Sequence, residues 1–417
     1  MRTPILSMIL IACLALTPLA QKKRSADLRA KAEALMATAP QAKLLDPIVA
    51  AQTGCDVIVK LQEGGRKKGS GSEWPYEGVY RVRGKGGAII PIGYRVGGTA
   101  ICGMALLETP GLKENKSRRA ALNRATAFVL QGLKEPLMAS GFKGGYDVRG
   151  WGHTYALLFL LRMETEKTFP SKLRIRAKAS VRWLIKTLEE TAIPESGGWN
   201  YSRRAGFGNS RNSASPFMTA PTLQALFSAK HQGYKVSSSV VNEAIVALQR
   251  ARTASGGYTY SAPGTAKKGD ENSLSFMDKL PGSIARMNAV EATLALTSQG
   301  DQGRLRVAID SFFKHWVELE VRRRQSNTHI QPYGVAPYYV MYGHYYVAQA
   351  IERLSDDSLK QGYRDRLNRL LAVIRETDGG WNDRVFDRSK NYGTAMAIMA
   401  LRMKNIPSPA VWTDSKL

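Results

Sequence analysis

The side chains able to do acid–base chemistry in this sequence are few and well separated. His153 and His344, Tyr155, Tyr342, Tyr345 and Tyr392, and Arg286 are the most suggestive, and Asp147, Asp278 and Asp383 each follow a glycine-rich element. A tyrosine beside a histidine and an arginine is the set that β-elimination of an acidic sugar needs, with a base for the proton and a cation for the carboxylate. Paired carboxylates would instead serve glycoside hydrolysis, but only at a defined separation. The blander alternatives are that the histidines and the tyrosine pairs Tyr338-Tyr339 and Tyr345-Tyr346 pack, and that the aspartates cap helices or pair with arginines.

These residues need elements to hold them, and the sequence supplies a repeat. Gly-Gly-aromatic elements occur at Gly144-Gly145-Tyr146, Gly197-Gly198-Trp199, Gly256-Gly257-Tyr258 and Gly379-Gly380-Trp381. They recur about 55 residues apart, the last pair at about twice that spacing, a period that signals stacked supersecondary units. Gln331-Pro332-Tyr333-Gly334 fills the gap as a degenerate copy, and Gly64-Gly65 with Trp74 adds one upstream.

Each element is followed by an apolar segment rich in small residues with helical spacing: 98–107, 152–161, 220–229, 288–296, 343–351 and 393–401. Alanine and glycine let backbones approach closely, so these read as inner helices. A more charged amphipathic segment precedes each element, at 43–61, 120–133, 172–191, 237–252, 303–322 and 363–376, and reads as an outer helix. Glycine pairs suit a helix C-terminus because glycine reaches positive φ without a Cβ clash, and the following aromatic can pin one hairpin to the next. The expectation is all-α: about six helical hairpins closed into an α/α toroid with inner and outer rings, an open solenoid being the alternative.

Aligning the inner helices places Thr99, His153, Pro221, Ala289, His344 and Thr394 in one column near their N-termini, where helix dipoles add positive potential. The cavity mouth should then collect Trp151, His153, Tyr155, Arg286, Asn288, Tyr342, His344, Tyr345 and Tyr392. His153 and His344 belong to the second and fifth repeats, across the ring from each other. No shared metal is therefore expected, since metal ligands converge within a few ångströms. No cofactor is expected either.

The elements GGWNYS, GGYTYS and GGWND, each ahead of an alanine-rich helix, resemble the terpenoid cyclase and protein prenyltransferase superfamily of α/α toroids over about residues 44–403. The squalene and hopene cyclase repeat has the form Q-x3-G-x-W. Here Gly379-Gly380-Trp381 supplies its second half, but Arg375 and Ile193 stand where glutamine should. The resemblance implies a toroid; its chemistries do not carry over. The DxDD acid motif of class II cyclases is absent, and Asp356-Asp357 reads as a polar loop. No cysteine follows Cys102 to complete the Asp-x-Cys zinc site of prenyltransferases. Gly54-Cys55-Asp56 matches only the start of the thioester motif GCGEQ.

The 417 residues are 44% hydrophobic and 23% charged, enough apolar surface for a large core. Residues 1–20 have the pattern of an export leader, with a basic start, an apolar run from Ile5 to Leu16 too short to span a bilayer, and a small residue at Ala20. A lipid anchor at Cys13 is the weaker alternative, because apolar residues continue past it. The expected layout is leader 1–20, lead-in 21–43, toroid 44–403 and tail 404–417, in a secreted or periplasmic protein with no transmembrane segment after processing. Cys55 and Cys102 fall on the two helices of the first repeat, as buried thiols or a disulfide.

The formal charge is +26, and cations cluster at Arg66-Lys67-Lys68, Arg81/Arg83/Lys85, Lys116/Arg118/Arg119, Lys172/Arg174/Arg176/Lys178, Arg203/Arg204 and Arg322-Arg323-Arg324. Such a field favours polyanionic partners. Outside the cytoplasm these are acidic glycans, anionic lipids or envelope components; export and the lack of any nucleic-acid motif argue against nucleic acid. Three readings follow: a binding toroid without cyclase or zinc-prenyltransferase chemistry, an enzyme acting on acidic polysaccharide as lyase or hydrolase, or an atypical terpenoid cyclase using Asp147 or Asp278 as proton donor.

Overall fold

The computed structural model describes residues 18–64, 72–78, 81–84, 87–142, 148–201, 213–261, 275–325, 329, 331–336 and 339–413. Six helices form the inner ring: α3 (Ile92–Glu108), α5 (Arg149–Thr165), α7 (Pro216–His231), α9 (Leu280–Leu294), α11 (Val340–Arg353) and α13 (Lys390–Arg402). Each packs on the next, and α13 returns to pack on α3, so the ring is closed. The outer ring is α2 (Pro47–Lys60), α4 (Lys116–Gly132), α6 (Arg174–Thr191), α8 (Ser238–Arg250), α10 (Gln302–Arg323) and α12 (Asp357–Val373). Helix α1 (Pro18–Thr38) crosses the outside of α10 and α12, held by a bidentate Arg29–Glu318 pair at 2.8–2.9 Å. Two short antiparallel pairs, β1 (Glu63–Gly64) with β2 (Ser72–Glu73) and β3 (Val82–Gly84) with β4 (Gly87–Ile89), are the only strands among the described residues.

The described glycine–aromatic elements are corners between outer and inner helices, one hydrogen-bond pattern repeats in three of them, and Gly144-Gly145-Tyr146 lies outside the described residues. The backbone N–H of Trp74, Trp199 and Trp381 donates to the hydroxyl of Thr99, Thr219 and Thr394 on the following inner helix, at 2.9–3.0 Å. Each indole N–H donates back to a carbonyl near the end of the preceding outer helix: Ile58, Leu188 and Leu371. Gly379 has φ 89°, which ends the turn after α12, and a Cβ on Gly380 would stand 3.0 Å from the Thr394 hydroxyl oxygen. The glycine pair therefore has two separate jobs, one conformational and one of clearance.

Two expectations change at this point. Inner helices begin several residues earlier than their small-residue segments, and the corner partner in α7 is Thr219 rather than Pro221. In α9 Gly257 packs against Ser283, six residues ahead of Ala289. At the three tryptophan corners register is set by the hydroxyl that answers the backbone N–H, which keeps Thr99 and Thr394 of the expected column and replaces Pro221 by Thr219. The second change concerns the lumen, which polar side chains cross among the described residues. Gln224 of α7 and Gln349 of α11 exchange amide hydrogen bonds at 2.7 and 3.0 Å, Gln224 also donates to Thr293 of α9, and Thr154 meets Thr222 at 2.7 Å. Short side chains on the ring helices bring their backbones close enough for these longer ones to meet across the ring.

The proposed leader lies mostly outside the described residues, and α1 runs without a break through Ala20. Among the described residues no helix is long and apolar enough to cross a membrane. Cys55 and Cys102 are both buried free thiols, and burial raises the pKa of each.

Replacing Thr219 or Thr394 by valine removes the acceptor for a buried N–H and should cost about 1–3 kcal/mol each. Denaturant unfolding of Thr219→Val and Thr394→Val measures this. A loss below a few tenths of a kcal/mol in both would show that the corners do not depend on the hydroxyl.

Candidate functional site

The N-terminal ends of the inner helices converge on a continuous bed of aromatic rings. Tyr76 packs on Tyr94, Trp151 and Tyr392 with ring centres 4.5–5.6 Å apart, and Trp151 continues to Tyr155 at 5.2 Å. On the opposite wall Phe217 packs on Tyr339 and Tyr342, and Tyr342 on Tyr346 at 4.4 Å. The two walls meet where the Tyr346 hydroxyl lies beside that of Tyr155. Of the residues expected at a cavity mouth, Trp151, Tyr155, Tyr342 and Tyr392 are in this bed. Tyr345 joins it through Tyr346, on the side nearer Glu108 and Arg162.

Three others lie elsewhere. The Nε2 atom of His153 sits 2.8 Å from the Met138 carbonyl, with its ring edge-on to Trp183 of α6. His344 uses Nδ1 toward the Val340 carbonyl and accepts at Nε2 from the Trp316 indole of α10. Both rings are wholly buried between the inner and outer helices, where desolvation pulls their pKa down to about 4 and keeps them neutral. Asn288 likewise turns outward, donating to Ile284 and to Ala308 of α10.

Arg286 is buried at the rim, where it donates to the carbonyls of Tyr258, Met277 and Gly282 and to the Tyr339 hydroxyl at 3.2 Å. Its guanidinium lies over the rings of Tyr260 and Tyr339, and Tyr260 touches His329. A tyrosine, an arginine and a histidine do meet here, but the histidine is His329. Tyr339 is not activated as a base, because burial raises its pKa and outweighs the lowering by Arg286. Asp278 accepts from the Tyr260 backbone N–H and stands 3.9 Å from Arg286, the pairing expected of it. Asp147, Tyr338, Arg66, Lys67, Lys68, Lys85, Arg203 and Arg204 lie outside the described residues.

Asp383 is the group that sequence reasoning undervalued. It is fully buried, two residues past the corner Trp381, accepting from the Tyr76 hydroxyl at 2.9 Å and from the Met341 backbone N–H in the first turn of α11 at 2.9 Å. The capping role expected of these aspartates is therefore met. What the sequence did not show is the cost of the site: desolvation raises the carboxyl pKa to about 6, despite the opposing pull of those two hydrogen bonds and of Arg384 and Arg323. The signal was available in the corner motif itself. Two positions past the aromatic stand Tyr76, Tyr201 and Tyr260 in three corners and Asp383 in the last. The same turn that aims a phenol inward elsewhere aims a carboxyl there.

No group of three or more histidine, cysteine, aspartate or glutamate side chains among the described residues is placed to hold a metal.

No protein-family model matches the chain, and no curated protein matches it. Solved structures do. The unsaturated glucuronyl hydrolase of Bacillus sp. GL1, described as responsible for the degradation of glycosaminoglycan, is 9% identical, with 88% of this chain and 98% of that one covered at a TM-score of 0.52. A possible GH105 family member from Klebsiella pneumoniae is 14% identical over 86% and 92%, with a TM-score of 0.47. At such identities the likeness shows the α/α-toroid fold and nothing finer. The likeness to the glucuronyl hydrolase fits an α/α toroid and does not support the terpenoid cyclase resemblance specifically.

The raised Asp383 pKa fixes a pH dependence. Because the folded state holds this proton more tightly than the unfolded chain, Asp383 adds most stability at low pH, and that contribution falls as pH rises from about 4 to about 6. His153 and His344 act oppositely below neutrality, so the difference between wild type and Asp383→Asn isolates the carboxyl. That difference should shift against the wild type by about 3 kcal/mol between pH 4 and 7. A difference independent of pH over this range would contradict the assignment.

Proposed function

We propose that this protein is an exported enzyme acting on acidic glycans, with Asp383 as its proton donor. The observation that carries this reading is the buried, proton-holding carboxyl set in a bed of aromatic rings. A carboxyl with a pKa near 6 keeps its proton at mildly acidic pH and can deliver it to the oxygen or carbon at which a sugar linkage breaks. Tyr76, Trp151 and Tyr392 have flat faces of the kind on which sugar rings stack, and Arg384 stands near enough to Asp383 to act on its charge and to favour a uronate carboxylate beside it. The fold likeness to a glucuronyl hydrolase supports the same substrate class.

Since Asp383 and the rings are buried, a sugar reaches the acid only when the side chains covering them move aside. Tyr76 is the obvious one, as it both covers Asp383 and bonds to it. The burial of these groups and the Gln224–Gln349 bridge across the ring are the specific observations on the side of the second reading, a toroid that binds glycan on its exterior and catalyses nothing.

Purified protein incubated with a panel of uronic-acid polymers and unsaturated uronyl oligosaccharides separates the readings. Loss of the ultraviolet absorbance of unsaturated ends marks hydrolase action, and its gain marks lyase action. Activity is expected on at least one substrate, falling as pH rises through about 6, and lowered about a hundredfold or more in Asp383→Asn. Asp278→Asn should retain most of it. No turnover across the panel would overturn the enzymatic reading and leave the binding one.

A further inference from the structure

Helix α6 carries a row of cations that local energetics disfavours. Arg174, Lys178, Arg182 and Lys186 recur at every fourth residue, all exposed, so they line one face of the helix about 6 Å apart. Like charges at this spacing destabilise a helix. The first turn contains Arg174 and Arg176 with no acidic residue, and Lys172 just precedes it, which sets positive charge against the positive end of the helix dipole. Compensation is partial: Lys178 meets Glu164 at 3.0 Å and Lys186 meets Glu190 at 3.6 Å. Arg174 and Arg182 have no carboxylate at ion-pairing distance among the described residues. Beside the start of the row, Glu164, Lys167, Phe169, Arg174 and Lys178 line a surface depression of about 290 Å³.

We propose that this face of α6, with the adjoining depression, is an exterior binding site for a linear acidic polysaccharide, separate from the ring of aromatics. A straight row of evenly spaced cations matches a chain that presents carboxylate or sulfate groups at regular intervals, and not a single small anion. Phe169 is buried, Trp183 is turned edge-on to His153, and part-exposed Tyr234 is tied through its hydroxyl to Glu164, so the row has no succession of open aromatic faces for stacking bases. Ile175, 87% exposed, is a single apolar residue and not the apolar stripe a membrane-lying helix needs. The site takes from the proposed function only the chemistry of its polymer. Its test reads binding, not turnover, so either idea can fail without the other.

The experiment uses the full chain with Asp383→Asn, which separates binding from any hydrolysis. The quadruple variant Arg174→Gln, Lys178→Gln, Arg182→Gln and Lys186→Gln is compared with an equally charged control, Lys60→Gln, Lys134→Gln, Lys314→Gln and Lys404→Gln, whose exposed lysines lie on other parts of the molecule. Affinity for a polyuronate and for a single-stranded oligonucleotide is measured at several salt concentrations. The α6 variant should bind polyuronate about tenfold more weakly than the control, with a shallower salt dependence and no loss of thermal stability. Equal losses in both variants would reduce the effect to net charge and overturn the site. A loss confined to the oligonucleotide would overturn the choice of partner.

Discussion

The hydrogen bond between a corner tryptophan N–H and a hydroxyl on the next inner helix is the constraint on which the rest of this structure depends. It recurs at Trp74–Thr99, Trp199–Thr219 and Trp381–Thr394, and with the indole bond back to the outer helix it ties three elements at one point. A buried N–H left without an acceptor costs about 1–3 kcal/mol, so the turn cannot slip by a residue without losing that bond. Fixing the turn fixes the residue two positions on, which is how Asp383 comes to lie under the first turn of α11.

The chemistry of the site follows from that placement. A carboxyl at a helix N-terminus would ordinarily ionise easily, and the Met341 N–H, the Tyr76 hydroxyl and two arginines all pull in that direction. Burial among aromatic rings pushes the other way and wins, since the rings exclude the water that would solvate the charge. The two histidines obey the same rule with opposite sign: burial outweighs the backbone carbonyls on both and the pull of Glu320 on His344, so they stay neutral and act as packing residues between the rings of helices.

Much of the architecture was legible in the sequence because it is written in periodicity. The alternation of small-residue and amphipathic segments placed all twelve ring helices, and the glycine pairs marked where they turn. What periodicity could not show was which way a side chain faces on a helix buried all round, so His153, His344 and Asn288 were expected in the lumen and instead face α6 and α10. Tyr94 and Phe217 were passed over because no helical pattern distinguishes a lumen aromatic from a core one, Tyr76 because it lies in a corner off any helix, and Tyr346 was read as a packing residue only. Asp383 stood in plain view within GGWND, but its importance depends on desolvation, a property of the packed molecule and not of the motif.

Direct titration of the Asp383 carboxyl reaches the centre of this account. Infrared difference spectra between wild type and Asp383→Asn, collected from acid to neutral pH, report the C=O band of a protonated carboxylic acid belonging to that residue alone. The band should persist through the range where ordinary aspartates ionise, near pH 4, and disappear with a midpoint near 6. A midpoint at or below 4 would mean that the carboxyl is solvated or fully paired, and the proton donor assigned here would have no proton to give.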